Sequence, residues 1–175
     1  GSFKERGARN ALLKLSPDAR KRGVIAASAG NHAQGIAYHA KLLGIPTTVV
    51  MPKFAALIKV TNCRQFGASV VLYGADLTEA RAHAGEIATR DGLTFIHPFD
   101  NADVIAGQGT MGLEILEQTP DVEAIVVPVG GGGLFAGIGT AVKANAPNVE
   151  IVGDEPERAA CLTEALAQDK PTLVP

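Results

Sequence analysis

The chain has 175 residues, of which 46% are hydrophobic and 19% are charged, and its formal net charge is −2. This composition is typical of a globular protein, and the near balance of 16 basic and 18 acidic residues argues against nucleic acid or an anionic membrane as a partner. No apolar stretch is long enough to span a bilayer, so we expect a cytoplasmic protein. Cys63 and Cys161 lack the spacing of a disulfide framework or a zinc site, and both are expected on helices as small apolar residues.

Short apolar runs rich in β-branched residues predict buried strands, and segments with helical spacing predict helices between them. In chain order, the predicted strands are 24–28, 47–51, 69–73, 94–96, 124–128 and 150–154. The predicted helices are 6–15, 31–43, 57–66, 76–90, 103–117, 134–145 and 157–167. Ser16 and Asp76 are suited to cap helices at their N-termini, and Gly44 and Gly67 are suited to end them.

Strands and helices alternate along the whole chain, and this alternation determines the predicted architecture. Because parallel strands need crossover helices, we predict an α/β fold with open, mostly parallel, twisted sheets and helices on both faces. In such sheets, ligands bind beyond the carboxyl ends of the strands. Two strand-to-helix junctions therefore matter most, Ser28-Ala-Gly-Asn-His-Ala-Gln-Gly35 and Val129-Gly-Gly-Gly-Gly-Leu134.

The second junction carries four consecutive glycines, Gly130, Gly131, Gly132 and Gly133. Glycine lets the backbone approach an anion closely, and a helix N-terminus adds partial positive charge, so the run predicts a phosphate site. A tight turn without a ligand is the structural alternative. The pattern G-x-G-x-x-A over 131–136, with Asp154 and Glu155 ending the next strand, also keeps an NAD- or nucleotide-binding module open.

The first junction offers small residues at another helix N-terminus, where a second anion such as a carboxylate could bind. Asn31 is also a common type of helix N-cap, so a purely structural role for it stays open at this point.

The amino-terminal sequence Gly1-Ser-Phe-Lys-Glu-Arg-Gly7 resembles the lysine motif of the fold-type II pyridoxal-phosphate enzymes, which have a fold like that of the tryptophan synthase β subunit. The two junctions resemble this family's second and third signatures, in the same order. Within the family, the chain is most similar to the threonine/serine dehydratases, also called threonine ammonia-lyases. The similarity extends through Lys59, Phe66-Gly-Ala68, Gly107-Gln-Gly-Thr110 and Gly153-Asp-Glu-Pro156.

This resemblance implies a role for each matching residue. Lys4 is expected to carry the covalent link to the pyridoxal 5′-phosphate cofactor, with Phe3 beside the cofactor ring. The backbone from Gly130 to Leu134 is expected to bind the cofactor phosphate, and Asn31 to donate a hydrogen bond to the 3′ oxygen. The residues expected close to the substrate carboxylate, with His32 in a positioning role, are Ser28, Gly30 and His32.

The implied reaction is β-elimination of L-threonine, and of L-serine as well, to a 2-oxo acid and ammonia. Related serine racemases carry a second catalytic serine where this chain has Ala29, so elimination is favoured over racemisation. Those relatives also bind a divalent cation through carboxylates, of which this chain keeps Glu155 but has Cys161 in place of the second, so no metal site is expected. Three histidines match no motif and are expected to be structural, namely His39, His83 and His97.

The resemblance also implies a division into two domains. Residues 24–103 would form a small α/β domain, whereas 1–23 and 104–175 would be parts of the large cofactor-binding domain. Family members carry further sequence on both sides, so the chain is expected to be a central fragment, truncated at both ends. The full-length form is expected to be a homo-oligomer that acts on a small amino-acid substrate.

Overall fold

The computed structural model describes residues 1–172, in which strands alternate with helices. The strands are β1 (Val24–Ala27), β2 (Thr47–Met51), β3 (Ser69–Leu72), β4 (Thr94–Phe95), β5 (Ala124–Pro128) and β6 (Glu150–Asp154). The α-helices are α1 (Lys4–Lys14), α2 (Pro17–Arg22), α3 (Asn31–Leu43), α4 (Leu57–Gln65), α5 (Leu77–Asp91), α6 (Ala102–Gln118), α7 (Gly133–Asn145) and α8 (Cys161–Gln168). A 3₁₀ helix, Glu157–Ala159, precedes α8. The predicted α/β fold class is confirmed.

Within residues 1–172, the strands form two sheets in which every pairing is parallel. The first sheet has four strands in the order β3-β2-β1-β4, and the second pairs β5 with β6. In the first sheet the chain moves outward from β1 to β2 and β3, and then returns to place β4 on the other side of β1. The carboxyl ends of β1 and β4 therefore flank the switch point at which ligands bind in open α/β sheets.

The four-stranded sheet is covered on both faces because side chains alternate along its strands. On β1, Val24 and Ala26 pack with α1 and α3, whereas Ile25 and Ala27 pack with α5. β2 follows the same alternation, with Val50 on the α5 side. The predicted arrangement of helices on both faces is thus observed around this sheet.

The two-stranded sheet is covered on one face within residues 1–172. Ile125 and Val127 of β5 pack against Ile138 and Val142 of α7. On the opposite face, Val126 is 65% exposed. This face of β5 and β6 is open to solvent here, whereas parallel strands are usually buried on both sides.

Most predicted elements agree with the structure to within two residues. The exceptions are one helix that was not predicted and one predicted helix that is divided in two. α2 was not predicted, because its sequence Pro-Asp-Ala-Arg-Lys-Arg has no apolar periodicity. Its N-terminus is stabilised by Ser16, whose Oγ accepts the N–H of Ala19 at 3.2 Å. The predicted helix 157–167 is divided into the 3₁₀ helix and α8, because Ala160 between them has a non-helical backbone.

The predicted helix ends are confirmed where a specific residue type requires them. Asp76 caps α5, since its Oδ1 accepts the N–H of Glu79 at 2.9 Å. Gly44 and Gly67 adopt φ angles of 66° and 83°, in the left-handed region that ends a helix. Within residues 1–172, every helix is too short or too polar to span a bilayer. The two-domain division stays a prediction, and residues 173–175 of its last part lie outside the described residues.

Candidate active site

Helix α1 crosses α6 closely, and this crossing determines where the N-terminus of α1 lies. The approach requires glycine, because a Cβ atom at Gly107 would lie 2.6 Å from the carbonyl oxygen of Arg6. The backbone N–H of Gly7 donates to Oε1 of the buried Gln108 at 3.2 Å. The Arg6 guanidinium forms a bidentate pair with Glu114, with both bonds at 2.6 Å. The 107–110 run that the sequence singled out therefore anchors α1.

Lys4 is the first residue of α1 and is half-buried. Its Nζ donates a hydrogen bond to the carbonyl oxygen of Pro98 at 2.7 Å and lies 5.1 Å from the ring centroid of Phe3. Burial lowers the pKa of Lys4 below its usual value, because a desolvated ammonium group is less stable. Burial thus shifts the protonation equilibrium of Lys4 towards the neutral amine, which is the form that attacks a carbonyl carbon.

The residues that follow β4 form a turn, residues 96–100, which we call the 96–100 turn. His97 stabilises this turn, since its Nδ1 accepts the N–H of Asp100 at 2.8 Å and that of Phe99 at 3.4 Å. His97 thus has the structural role expected of it. The turn also presents the carbonyl oxygen of Pro98 to Lys4, so its conformation determines the position of the lysine amine.

Phe99 of the same turn packs against the glycine loop, residues 130–133. A Cβ atom at Gly131 would collide with the Phe99 ring, and one at Gly133 would lie 2.9 Å from the Phe99 backbone. Gly132 adopts a φ of 82° and is the N-cap of α7, whereas a Cβ at Gly130 would meet open space. Packing thus requires two of the four glycines, and backbone conformation requires a third.

A cavity of about 450 Å³ lies beside the glycine loop. It is lined by Gly130, Gly131 and Gly132, by the 96–100 turn, and by residues of α5 and α8. The loop leads into the N-terminus of α7, where backbone N–H groups without helical partners and the helix dipole favour an anion. The arrangement supports the phosphate site predicted from the glycine run.

The junction after β1 is shaped by Ser28, whose Oγ accepts the N–H of Gly30 at 3.2 Å. Gly30 is the N-cap of α3 and Asn31 is its first residue, so the interpretation of Asn31 as a helix cap is wrong. Oδ1 of Asn31 instead accepts a hydrogen bond from Nζ of Lys59 at 3.3 Å. Asn31 and Lys59 line a second cavity of about 490 Å³, together with Ser2. The Asn31 side chain is therefore available to a ligand.

His32 is 2% exposed and lies between α3 and the 96–100 turn. Its Nε2 is 3.0 Å from the carbonyl oxygen of Ile96, so Nε2 carries the proton and donates it to this bond. Nδ1 is then an acceptor, and it is buried without a partner among residues 1–172. Burial lowers the pKa of His32 to about 4, so the ring is neutral at pH 7.

Glu155 follows β6, and its carboxylate binds the N-terminus of α8. Its two oxygens accept the first-turn N–H groups of that helix at 2.7 and 2.9 Å. Sγ of Cys161 lies 3.4 Å from Oε1 of Glu155 and 3.1 Å from the carbonyl oxygen of Gly130. Cys161 lies on a helix as predicted, but its hydrogen-bonded thiol does not act as a small apolar residue. Cys63 is buried in α4 as predicted. Within residues 1–172, no cluster of His, Cys, Asp and Glu side chains could hold a metal ion.

The 96–100 turn brings together Lys4, His32 and the glycine loop, whereas Ser28, Gly30 and Asn31 lie at the N-terminus of α3. Sequence reasoning did not single out this turn. The signal that could have found it is its position after β4, because a strand that pairs with β1 on its free side creates the switch point.

Comparison with known proteins gives this geometry its context. Residues 1–175 match the protein family described as pyridoxal-phosphate dependent enzymes. The chain is 50% identical, over 180 aligned positions, to an L-threonine ammonia-lyase of Thermotoga maritima, and the match covers 99% of this chain and 45% of that protein.

Two solved structures are similar over nearly the whole chain. The processed form of threonine deaminase isoform 2 from Solanum lycopersicum has a TM-score of 0.94 and 47% identity, covering 98% of this chain and 50% of that one. A serine racemase from maize has a TM-score of 0.95 and 36% identity, covering 100% of this chain and 53% of that one. The chain spans about half the length of the relatives it matches.

Proposed function

Because the chain belongs to the pyridoxal-phosphate dependent enzymes, we propose that it binds this cofactor through Lys4 and the glycine loop and forms the reactive centre of an L-threonine ammonia-lyase. The proposed reaction converts L-threonine to 2-oxobutanoate and ammonia. The similarity to the Thermotoga enzyme, at 50% identity, supports this reaction.

The observation that carries the proposal is the link between Lys4 and the glycine loop through two consecutive residues. Pro98 accepts the hydrogen bond of the lysine amine, and Phe99 packs against Gly131 and Gly133. A half-buried amine of lowered pKa, connected to an anion site through two consecutive residues, suits a cofactor that carries an aldehyde and a phosphate. The residues present therefore fit pyridoxal phosphate.

We assign the remaining roles residue by residue. The backbone from Gly130 to Leu134 would hold the cofactor phosphate, Phe3 would lie beside the ring, and Asn31 would donate to the 3′ oxygen. Ser28 and Gly30, at the N-terminus of α3, would bind the substrate carboxylate through that helix end.

His32 supports this site without acid or base chemistry. Its Nε2 donates its proton to the carbonyl oxygen of Ile96, and its Nδ1 can only accept a hydrogen bond. The ring therefore has no free donor with which to bind a carboxylate directly. We therefore propose that His32 positions the 96–100 turn.

The cofactor, when bound, supplies the electron sink that makes the α-carbon of an amino acid acidic. Lys4 would take the proton from that α-carbon through its neutral Nζ, which burial favours. The β-hydroxyl group then leaves as water, and hydrolysis of the resulting enamine gives the 2-oxo acid and ammonia. Because a single methyl group changes binding by only about 1 to 3 kcal/mol, L-serine is also a substrate in this proposal, with pyruvate as its product.

Serine racemisation is the second candidate, because the maize serine racemase matches the whole chain. Ala29 argues against it, since an alanine beside Ser28 cannot exchange a proton on the opposite face of the substrate. Binding of NAD is not retained, because the match to the pyridoxal-phosphate family covers the whole chain. Glu155, one of the two carboxylates that kept this alternative open, accepts hydrogen bonds from the N-terminus of α8. A homo-oligomeric state and a cytoplasmic location stay predictions.

The test is the release of 2-oxo acid from L-threonine and L-serine by the purified chain loaded with pyridoxal phosphate. We expect 2-oxobutanoate and pyruvate, respectively, and no product from the Lys4→Ala variant. Accumulation of D-serine from L-serine at a comparable rate would favour racemisation instead. An inactive chain that also shows no Lys4-dependent cofactor binding would refute the proposal.

A further inference from the structure

Arg81 lies on α5 and lines the same cavity of about 450 Å³ as the glycine loop. Its neighbour Ala80 is fully buried against the four-stranded sheet, so α5 is held firmly against β1 and β2. The first two turns of α5 therefore place a guanidinium group opposite Gly130, Gly131 and Gly132.

This guanidinium has no evident structural use. Among residues 1–172 it forms no ion pair with a carboxylate, and its Nε is buried without a hydrogen-bond partner. By contrast, Arg6 and Arg90 are paired with Glu114 and Asp91. Arg20 also has a buried Nε without a partner, but its Nη2 donates to the carbonyl oxygen of Leu13. An unpaired cation with a buried, unsatisfied donor is costly for a fold to keep, which points to a partner that binds in the cavity.

The electrostatics of the cavity suit an anion. His97 lines the same cavity, and its pKa is lowered mainly by burial and, as the second cause, by the positive charge of Arg81. The opposing carboxylate of Asp100 also lines it, but Asp100 is exposed, so water screens its charge. The N-terminus of α7 adds partial positive charge on the other side.

We infer that Arg81 binds an anionic oxygen group in this cavity, either the phosphate of the cofactor or the carboxylate of the amino-acid substrate. The inference rests on the proposed function. It adds a third ligand-binding group, the guanidinium of Arg81, to the glycine loop and Lys4. An arginine can bind either group with two parallel hydrogen bonds.

The test compares Arg81→Gln with the unsubstituted chain and with Arg90→Gln, a control that removes the same charge from the exposed end of the same helix. Affinity is measured by spectroscopic titration for two matched ligand pairs. The first pair is pyridoxal phosphate and pyridoxal, which lacks the phosphate. The second pair is L-threonine and L-threoninamide, which lacks the carboxylate, on protein loaded with pyridoxal phosphate.

If Arg81 binds the phosphate, Arg81→Gln weakens pyridoxal phosphate binding by about 10-fold or more and leaves pyridoxal unchanged. If it binds the carboxylate, L-threonine binding weakens to a similar degree while cofactor and L-threoninamide binding do not change. Equal affinities of Arg81→Gln and Arg90→Gln for all four ligands would overturn the inference and leave the proposed function standing.

Failure of the proposed function has a different signature. In that case the unsubstituted chain would bind pyridoxal phosphate no better than Lys4→Ala does. Calorimetric titrations with inorganic phosphate and with acetate would then decide the inference alone, since it requires Arg81→Gln to bind at least one of these anions more weakly than Arg90→Gln does.

Discussion

The four glycines between β5 and α7 have different reasons to be glycine, although they form one run in the sequence. Gly131 and Gly133 lie against Phe99, and Gly132 needs its positive φ. Gly130 has open space where a side chain would be and does not need a positive φ. The run predicts an anion site, but part of its glycine content reflects contact with Phe99, which precedes Gly131 by 32 positions. Pattern reasoning cannot detect such a contact, because nothing in the local sequence marks it.

Substitution at Gly131 separates packing from ligand binding. Gly131→Ala should lower the free energy of unfolding by about 1 to 3 kcal/mol, because its Cβ would enter the Phe99 ring. Gly130→Ala is the matched control and should change stability by less than about 0.5 kcal/mol. Urea unfolding of both variants without cofactor measures the difference. Equal stabilities would mean that Phe99 does not pack on the loop as described.

His32 should titrate far below the ordinary histidine range. Its pKa is about 4 in the folded chain and about 6.5 when unfolded, so the unfolded state binds more protons between these values. His32 should therefore stabilise the fold fully above pH 6.5, and up to about 3 kcal/mol of this contribution should be lost as the pH falls to 4. An NMR titration of the ring measures the folded pKa directly, and a midpoint near 6.5 would contradict the buried, neutral ring.

The pH dependence of stability gives an independent reading. His32→Gln should unfold with a smaller decrease in stability between pH 6.5 and 4 than the unsubstituted chain does, because glutamine does not titrate. Identical pH profiles for the two proteins would show that His32 does not couple folding to protonation.

Among the secondary-structure elements, α1 depends most on its neighbour, because its contact with α6 determines where Lys4 lies. The sequence marked both ends of this contact, in the amino-terminal motif and in the 107–110 run, but it did not show that they touch. The reason for the contact became visible only with the crossing geometry, in which Gly107 meets the backbone of Arg6.

Two glycines inside helices provide a matched test of this crossing. Gly107→Ala should destabilise the fold by about 1 to 3 kcal/mol, because a methyl group would push α1 away from α6. Gly85→Ala lies inside α5 with nothing within 4 Å, and should be neutral or stabilising by up to about 1 kcal/mol through helix propensity. Thermal and urea unfolding report both values. A Gly107→Ala variant as stable as Gly85→Ala would refute the close crossing.

The helices also differ in how far apolar spacing in the sequence could predict them. The long helices α3, α5, α6 and α7 carry clear apolar spacing, and the sequence predicted their ends within about one residue. α2 is short and strongly basic, so only its capping serine and its proline mark it. The break before α8 lies at Ala160, and the carboxylate of Glu155 accepts N–H groups from the first turn of the helix that follows.

For the molecule as a whole, the parallel α/β architecture followed from the alternation of strands and helices, but the strand order did not. The position of β4 beside β1 creates the switch point, and with it the 96–100 turn that joins Lys4 to the glycine loop. The exposed face of Val126 on β5 accords with a chain that spans about half the length of its relatives. The proposed cofactor lysine, Lys4, and the proposed anion site are both within these residues.

The measurement that tests this account most directly is the location of bound cofactor after chemical trapping. The chain is incubated with pyridoxal phosphate, reduced with borohydride to fix the lysine-linked cofactor, digested, and mapped by mass spectrometry. We predict one main adduct on Lys4, retained in a Lys14→Ala control at the other end of α1 and lost in Lys4→Ala. Adducts spread evenly over exposed lysines, or unchanged by Lys4→Ala, would contradict the assignment of Lys4 as the cofactor-binding residue.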